Sequence, residues 1–532
     1  MLHPSAIFLL WMTFAVTPAN GYRILVFSPA ISRSHLISCS RIADVLAKAG
    51  HEVVLVEAEF LPLASKMKTA KHAQRIIVSE FSDKFRAAIS GFSTSAFEES
   101  HIFSTIEQDA VFNDACTVAC RELIDNEKVM EKLRALKFDM FFGEQVTLCG
   151  SALSHALGIK THMWVSSAPL GDPSSWMLGV PTPLSYVPTL GSIDITDRPT
   201  YRQRFANIIK YFVNIYAHRY GSNEITRIFR EKYGFDFPHV DDIARNSPIV
   251  FVAADEVVDF PRPSLSNIVY IGGLGISHNA KALEEPFRSL MEKGAQGVVL
   301  FSLGSNVQTH NLPVHVRKNM VDALAALPDY QFILKHDAED SMISEFAKTV
   351  DNVFVTTWAP QTDILGHPRL KTFVTHAGYN SLIEAAMNGV PLVSVPFFFD
   401  QVRNARVPER NGWGVFCPKE SLLAGPEKLA ESLKEVLENP NYKENALRTK
   451  QLLETKPFSA EEKLLKYVKY VGENDGRLPE LQIAGRDLNL IVYFNLDIFV
   501  PLAISFALLL WVLLIIVFRV FSCLRFSKTK IE

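Results

Sequence analysis

Apolar and polar positions along this chain follow two alternating periods. Short β-branched or aromatic runs at 23–27, 51–56, 138–142, 159–165, 249–253 and 267–272 read as buried strands. Helically spaced segments lie between them, at 36–49, closed by Gly50, and at 147–157. The stretch 60–135 reads as mostly helical, and 201–232 as helices. The Pro/Gly/Ser-rich segment 166–200 reads as a long loop, suited to walling a variable pocket. After Gly272-Gly-Leu-Gly275, taken as a hinge, the pattern starts again. Strands are expected at 297–302, 330–336, 352–357, 371–375 and 412–417, with helices at 313–327, 426–438, 441–453 and 459–471. Two separate strand–helix series predict an α/β protein of two Rossmann-like domains facing a cleft, at 21–275 and 276–480. In such sheets ligands lie at the carboxyl ends of the strands.

The two ends of the chain depart from this pattern. Residues 6–16 are apolar but too short to span a bilayer, and small residues follow at Thr17, Ala19 and Gly21. Residues 1–20 therefore read as a cleaved signal peptide, although the only basic group before the apolar run is His3. After a juxtamembrane segment at 481–497, residues 498–518 carry no charge and suffice for one transmembrane helix. The tail 519–532 contains Arg519, Arg525, Lys528 and Lys530. The positive-inside rule makes the tail cytoplasmic, for a single-pass type I protein with both domains lumenal. Lys528 and Lys530 near the C-terminus resemble a dilysine retrieval signal of endoplasmic-reticulum membrane proteins.

Composition narrows the classes. The chain has 532 residues, 48% hydrophobic and 21% charged, with a formal net charge of −3. That charge gives no general attraction to nucleic acid. Of the six cysteines, five fall on the lumenal side without framework spacing and read mainly as buried thiols. No Asn-x-Ser/Thr acceptor occurs.

The chemistry concentrates after the strand at 371–375. It stops at His376-Ala-Gly378, and a helix is expected to start at about Asn380-Ser381 and to close at Asn388-Gly389. Unpaired backbone N–H groups and the positive end of a helix dipole would make His376, Gly378, Asn380 and Ser381 the lining of an anion site, most naturally for a phosphate. Taken singly, Trp358 or His376 is an ordinary core residue; their joint pattern argues otherwise.

That pattern is Trp358-Ala359-Pro-Gln361, His376-x-Gly378-x-Asn380-Ser381, Glu384, Pro391 and Asp400-Gln401. It resembles the donor box of the UDP-glycosyltransferases, in particular the animal membrane-bound UDP-glucuronosyltransferase branch. The resemblance implies a GT-B fold, a UDP-sugar co-substrate and inverting transfer to an acceptor hydroxyl without a metal. It assigns Trp358 to stacking on uracil, Gln361 and Glu384 to the ribose hydroxyls, and His376 with the helix start to the diphosphate. Asp400 and Gln401 fall on hydroxyls of the transferred sugar. Ser302, Gly304 and Ser305 resemble a second nest for the diphosphate and sugar. His35, after the first strand, matches the family's general base. Its orienting carboxylate falls on Glu144, where the family has Asp. Arg262, in Phe260-Pro-Arg262-Pro, could pair with a glucuronate carboxylate or belong to a rigid linker. No Asp-x-Asp or His/Asp cluster suggests a metal ligand set.

The resulting expectation is an endoplasmic-reticulum UDP-glycosyltransferase moving glucuronate or glucose to small lipophilic hydroxyl compounds, as in detoxification. Its alternatives are a transferase with one fixed lipid or steroid acceptor and a catalytically silent UDP-binding subunit. An oxidoreductase is disfavoured because Gly272-Gly-Leu-Gly275 lacks the dinucleotide spacing. Homo- or hetero-oligomers are left open.

Overall fold

β-branched and aromatic runs stay buried on both faces only when helices cover them, and that is how the strands pair here. The computed structural model describes residues 21–528 apart from 95–96, 98–101, 192–193, 277–279 and 306. The signal-peptide expectation at 1–20, Lys530 and the side chain of Lys528 lie outside the described residues. The first sheet consists of β1 (Arg23–Pro29), β2 (Glu52–Ala58), β3 (Gln74–Val78), β4 (Met140–Glu144), β5 (Thr161–Ser166), β6 (Val250–Val252) and β7 (Ile268–Tyr270). They pair in parallel in the order β3-β2-β1-β4-β5-β6-β7. The second consists of β8 (Gly297–Ser302), β9 (Tyr330–Lys335), β10 (Val353–Thr356), β11 (Leu370–Thr375), β12 (Leu392–Ser394) and β13 (Gly414–Phe416). Its order is β10-β9-β8-β11-β12-β13, again parallel throughout.

Each order reverses once, between β1 and β4 and between β8 and β11. These are the switch points at which a doubly wound sheet opens a crevice. Four expected site segments leave from them. β1 leads to His35, β4 ends on Glu144, β8 ends on Ser302, and β11 ends one residue before His376.

Several expectations are corrected. β3 lies in the stretch expected to be helical; at five residues, with Arg75 inside it, its alternation is too short to read. The 166–200 segment is not all loop, since Asp172–Leu178 is helical, capped by a left-handed Gly179. The helices expected at 201–232 are one helix, Tyr201–Tyr233, started by a capping box between Thr200 and Gln203. Cys120 and Cys149 are not thiols but form a disulfide, with Cα atoms 5.8 Å apart. It joins two helices through cysteines 29 residues apart in sequence, and no spacing announces it. Cys39, Cys116 and Cys417 are buried thiols as expected.

The helix Ala460–Glu473 crosses back to the first half. Its Leu464, Val468 and Val471 pack with Ile24, Val53, Phe142 and Phe251. Both sheets belong to one compact unit running to Leu481. The remainder, from Gln482, is a second unit. Its Leu496–Ser522 span is 27 residues of exposed, apolar helix, long enough to cross a membrane.

The helix Gln401–Arg410 fastens the second half to the first through arginines on one side. Arg403 bonds Asp259 Oδ1 at 2.5 Å and Pro188 O at 3.2 Å; Arg406 Nε bonds Asp194 at 2.6 Å, and Arg410 bonds Asp197 at 2.5 Å. Arg403 is only 2% exposed in its side chain, so its counter-charge matters most. Removing one partner of a buried pair leaves a charge without compensation, so Asp259→Ala should lower unfolding free energy by about 3–5 kcal/mol. Asp194→Ala, at the exposed rim, should cost less than about 1 kcal/mol. Urea unfolding of the detergent-solubilised chain compares them; equal costs would rule out the buried latch.

Candidate active site

Ser32 caps the helix Arg33–Lys48, its side chain accepting from the His35 amide, so His35 sits in the first turn above the carboxyl end of β1. Its Nδ1 lies 3.4 Å from Glu144 Oε1, an ion-pair distance without good hydrogen-bond alignment. Glu144 is 1% exposed. Its Oε2 accepts from Val146 N at 2.9 Å, and its Oε1 from Ser167 N at 3.4 Å. Burial would push this carboxyl up, but the His35 charge and these donors hold it below the ordinary value. Burial likewise pulls His35 down, and the Glu144 carboxylate outweighs it, with Asp400 adding from the opposite side, so the imidazole titrates above its usual value.

The second half offers an anion cradle. Register places Ser302 of β8 between Lys335 of β9 and Thr375 of β11. Gly304 and Gly378 therefore flank the His376 ring. A Cβ on Gly304 would stand 2.4 Å from His376 Cε1, and one on Gly378 2.5 Å from its Nε2. Only glycine permits both approaches, and Gly304 also has φ +78°. The non-glycine Ala377 turns the chain at φ +61°, a strained conformation of the kind found at functional sites. The helix starts slightly earlier than the sequence suggests, at Tyr379, with Gly378 as N-cap and no side-chain cap. Its first N–H groups are thus left without side-chain acceptors. Burial and the charge of Lys335 push His376 down to about 4, so its ring is neutral at pH 7, and its Nδ1 has no partner among the described residues.

Gln361 Nε2 bonds Glu384 Oε2 at 2.8 Å and Ser381 Oγ at 3.4 Å, bringing three expected donor residues together. Arg41 of the first half reaches Glu384 Oε1 at 3.4 Å. Trp358 is 63% exposed and meets Phe287 edge-on at 6.3 Å, while Ala359 beside it is buried. A bare indole is an open stacking platform. Asn380 is half-buried in the first turn of its helix, and Ser305 is exposed beyond Gly304.

Asp400 starts the Gln401–Arg410 helix after Phe399, another left-handed residue at φ +57°. Asn404 Nδ2 donates to Asp400 Oδ2 at 2.7 Å and to Ala377 O at 3.2 Å, linking the loop before the Gln401–Arg410 helix to the loop after β11. Gln401 Oε1 accepts from the amides of Phe397 and Phe398 at 2.9 and 3.2 Å, leaving only its NH₂ end for a ligand. Arg262 stands apart: its terminal nitrogens bond Leu170 O, Ser175 Oγ and Thr182 Oγ1, bracing the 170–182 wall. Asn404, Arg41 and Lys335 were not foreseen. An i+4 partner of Asp400 was readable for Asn404, whereas Arg41 and Lys335 reach the site only through the tertiary fold.

A family model described as "UDP-glucoronosyl and UDP-glucosyl transferase" matches residues 23–531. The chain belongs to that family. Among its relatives is the putative UDP-glucuronosyltransferase ugt-47 of Caenorhabditis briggsae, 40% identical across 100% of this chain and 99% of the relative. The human UDP-glucuronosyltransferase 1A3 is 29% identical over 98% of this chain and 94% of its own. In fold the transferase is similar to the glycotransferase of kitacinnamycin, at TM-score 0.57 and 19% identity over 85% of this chain and 99% of that one. Os79 from O. sativa, solved with U2F and trichothecene, matches at TM-score 0.57 and 16% identity over 84% and 99%. The fold is GT-B, and the transferase is a glycosyltransferase that takes its sugar from UDP.

Proposed function

We propose that this transferase moves glucuronate or glucose from the UDP-sugar to a hydroxyl of a small lipophilic acceptor, with inversion and without a metal. The observation that carries this reading is the His35–Glu144 pair, which lies at one switch point while Asp400 acts on His35 from the opposite half. His35 takes the acceptor proton as that oxygen attacks C1, and Glu144 stabilises the resulting imidazolium. The C1–O bond to the β-phosphate breaks with its electron pair on UDP. One displacement inverts the anomeric carbon. The anion cradle and Trp358 support the UDP end, and the 166–200 segment supports an acceptor pocket of variable shape, as in detoxification. The apolar Leu496–Ser522 helix supports a single-pass anchor; with the basic residues after it, it supports type I placement in the endoplasmic-reticulum membrane with the site lumenal.

Donor competition tests the reading: the detergent-solubilised chain is given UDP-glucuronate or UDP-glucose with a phenol. Transfer from either supports it, and transfer from neither defeats it. The bonds that Arg262 already makes favour a wall-bracing role. Arg262→Ala should therefore affect both donors alike, and loss of glucuronate transfer alone would instead make Arg262 a carboxylate clamp.

A further inference from the structure

A departing UDP gains about one negative charge at its β-phosphate, and something in the cradle must balance it. His376 is neutral at pH 7. The helix at Tyr379 contributes about half a charge at its N-terminus. The remaining charge has to be balanced by a cation elsewhere. Lys335 is the last residue of β9, in direct register with Ser302. Its Nζ donates to Gly304 O at 3.0 Å, on the loop whose Cα packs against His376. An ammonium has three donors, and this carbonyl occupies one. No carboxylate stands within 4 Å of it among the described residues; the nearest acidic influence, Asp337, is itself bonded by Thr309 and His310 at 3.3 Å. A half-buried cation without a counter-ion, beside an unpartnered imidazole and an uncapped helix start, is a site prepared for a multiply charged anion.

We propose that Lys335 is a further catalytic residue: its ammonium binds the diphosphate of the UDP-sugar and balances the charge on the departing UDP. This rests on the UDP-sugar reading above. As the acceptor oxygen bonds to C1 and its proton passes to His35, the electron pair of the broken C1–O bond stays on the β-phosphate oxygen, whose negative charge the ammonium balances by an ionic hydrogen bond. Lys335 keeps its own proton throughout.

Lys335→Gln retains a donor for Gly304 O and removes the charge, whereas Lys335→Arg retains charge. Binding of UDP and of uridine is measured by calorimetry on the full chain, together with turnover on a phenol. In Lys335→Gln, UDP affinity and turnover should each fall about 10- to 100-fold, the range for losing a charged hydrogen bond. Uridine binding should be unchanged, and Lys335→Arg should recover most of the loss. Near-wild-type UDP affinity and turnover in Lys335→Gln would overturn the proposal. So would equal losses of UDP and uridine in both variants, which would make Lys335 a brace for the Gly304 loop. A wild-type chain that binds no UDP would defeat the donor reading itself, before any variant is compared.

Discussion

His35→Ala is expected to lower turnover by about 10²- to 10⁴-fold, the usual contribution of a placed general base, while leaving UDP binding intact. The donor groups lie in the other half of the molecule, so the two properties should separate. The pH profile carries more information. His35 titrates above its ordinary value because the Glu144 carboxylate outweighs burial. Only the neutral imidazole accepts a proton, so turnover should rise with pH and level off once that raised pKa is passed. Glu144→Gln removes the balancing charge and leaves burial, which favours the neutral ring. The acid limb should move to lower pH, and the plateau should fall because the imidazolium loses its partner. A limb that stays in place in Glu144→Gln would show that Glu144 does not set the charge of His35.

The second large effect comes from a methyl group. Gly378→Ala would place a carbon 2.5 Å from His376 Nε2, and Gly304→Ala one 2.4 Å from Cε1 on a backbone already at φ +78°. Neither distance is tolerable, so the ring or the loop must move away from the phosphate position. Overpacking of this kind costs about 1–3 kcal/mol, equivalent to roughly 5- to 150-fold weaker UDP binding. The two positions act on one ring, so the effects should not add. In a His376→Ala background Gly378→Ala should cost little more, because the clash is gone. Calorimetric titration with UDP reads both. Undiminished UDP affinity in Gly378→Ala would mean that the cradle is not the diphosphate site.

The sequence was most informative where function compresses many roles into one short segment. Trp358 to Gln401 could be read because its residues fall within one short run of the chain, and β11, β12 and the helices beside them position them. His35 could be read from its place after the first strand, and Glu144 from its place at the end of another. What stayed hidden depends on contacts between distant segments. The Cys120–Cys149 bond, the arginine side of the Gln401–Arg410 helix and the reach of Arg41 to Glu384 join residues with no local signature of pairing. Lys335 has no mark in the sequence beyond its place within the strand expected at 330–336. Only the register with Ser302 makes it a member of the site. Arg262 illustrates the opposite: its motif left a ligand contact and a rigid linker both open, and the fold surrounds it with acceptors of its own wall.

The returning helix Ala460–Glu473 also sets the timing of the molecule's birth. The last strand of the first sheet, β7, leaves the ribosome about 190 residues ahead of Leu464, Val468 and Val471, which complete the hydrophobic cover over Ile24 and Val53. At about 5–20 residues per second, that interval lasts roughly 10–40 s. For that time one face of the nascent first sheet has only part of its cover, from Ile42, Val45 and Leu46 of the helix Arg33–Lys48, and is a natural client for chaperones. A message truncated before residue 460 would yield a chain that never acquires this cover, however complete its donor box.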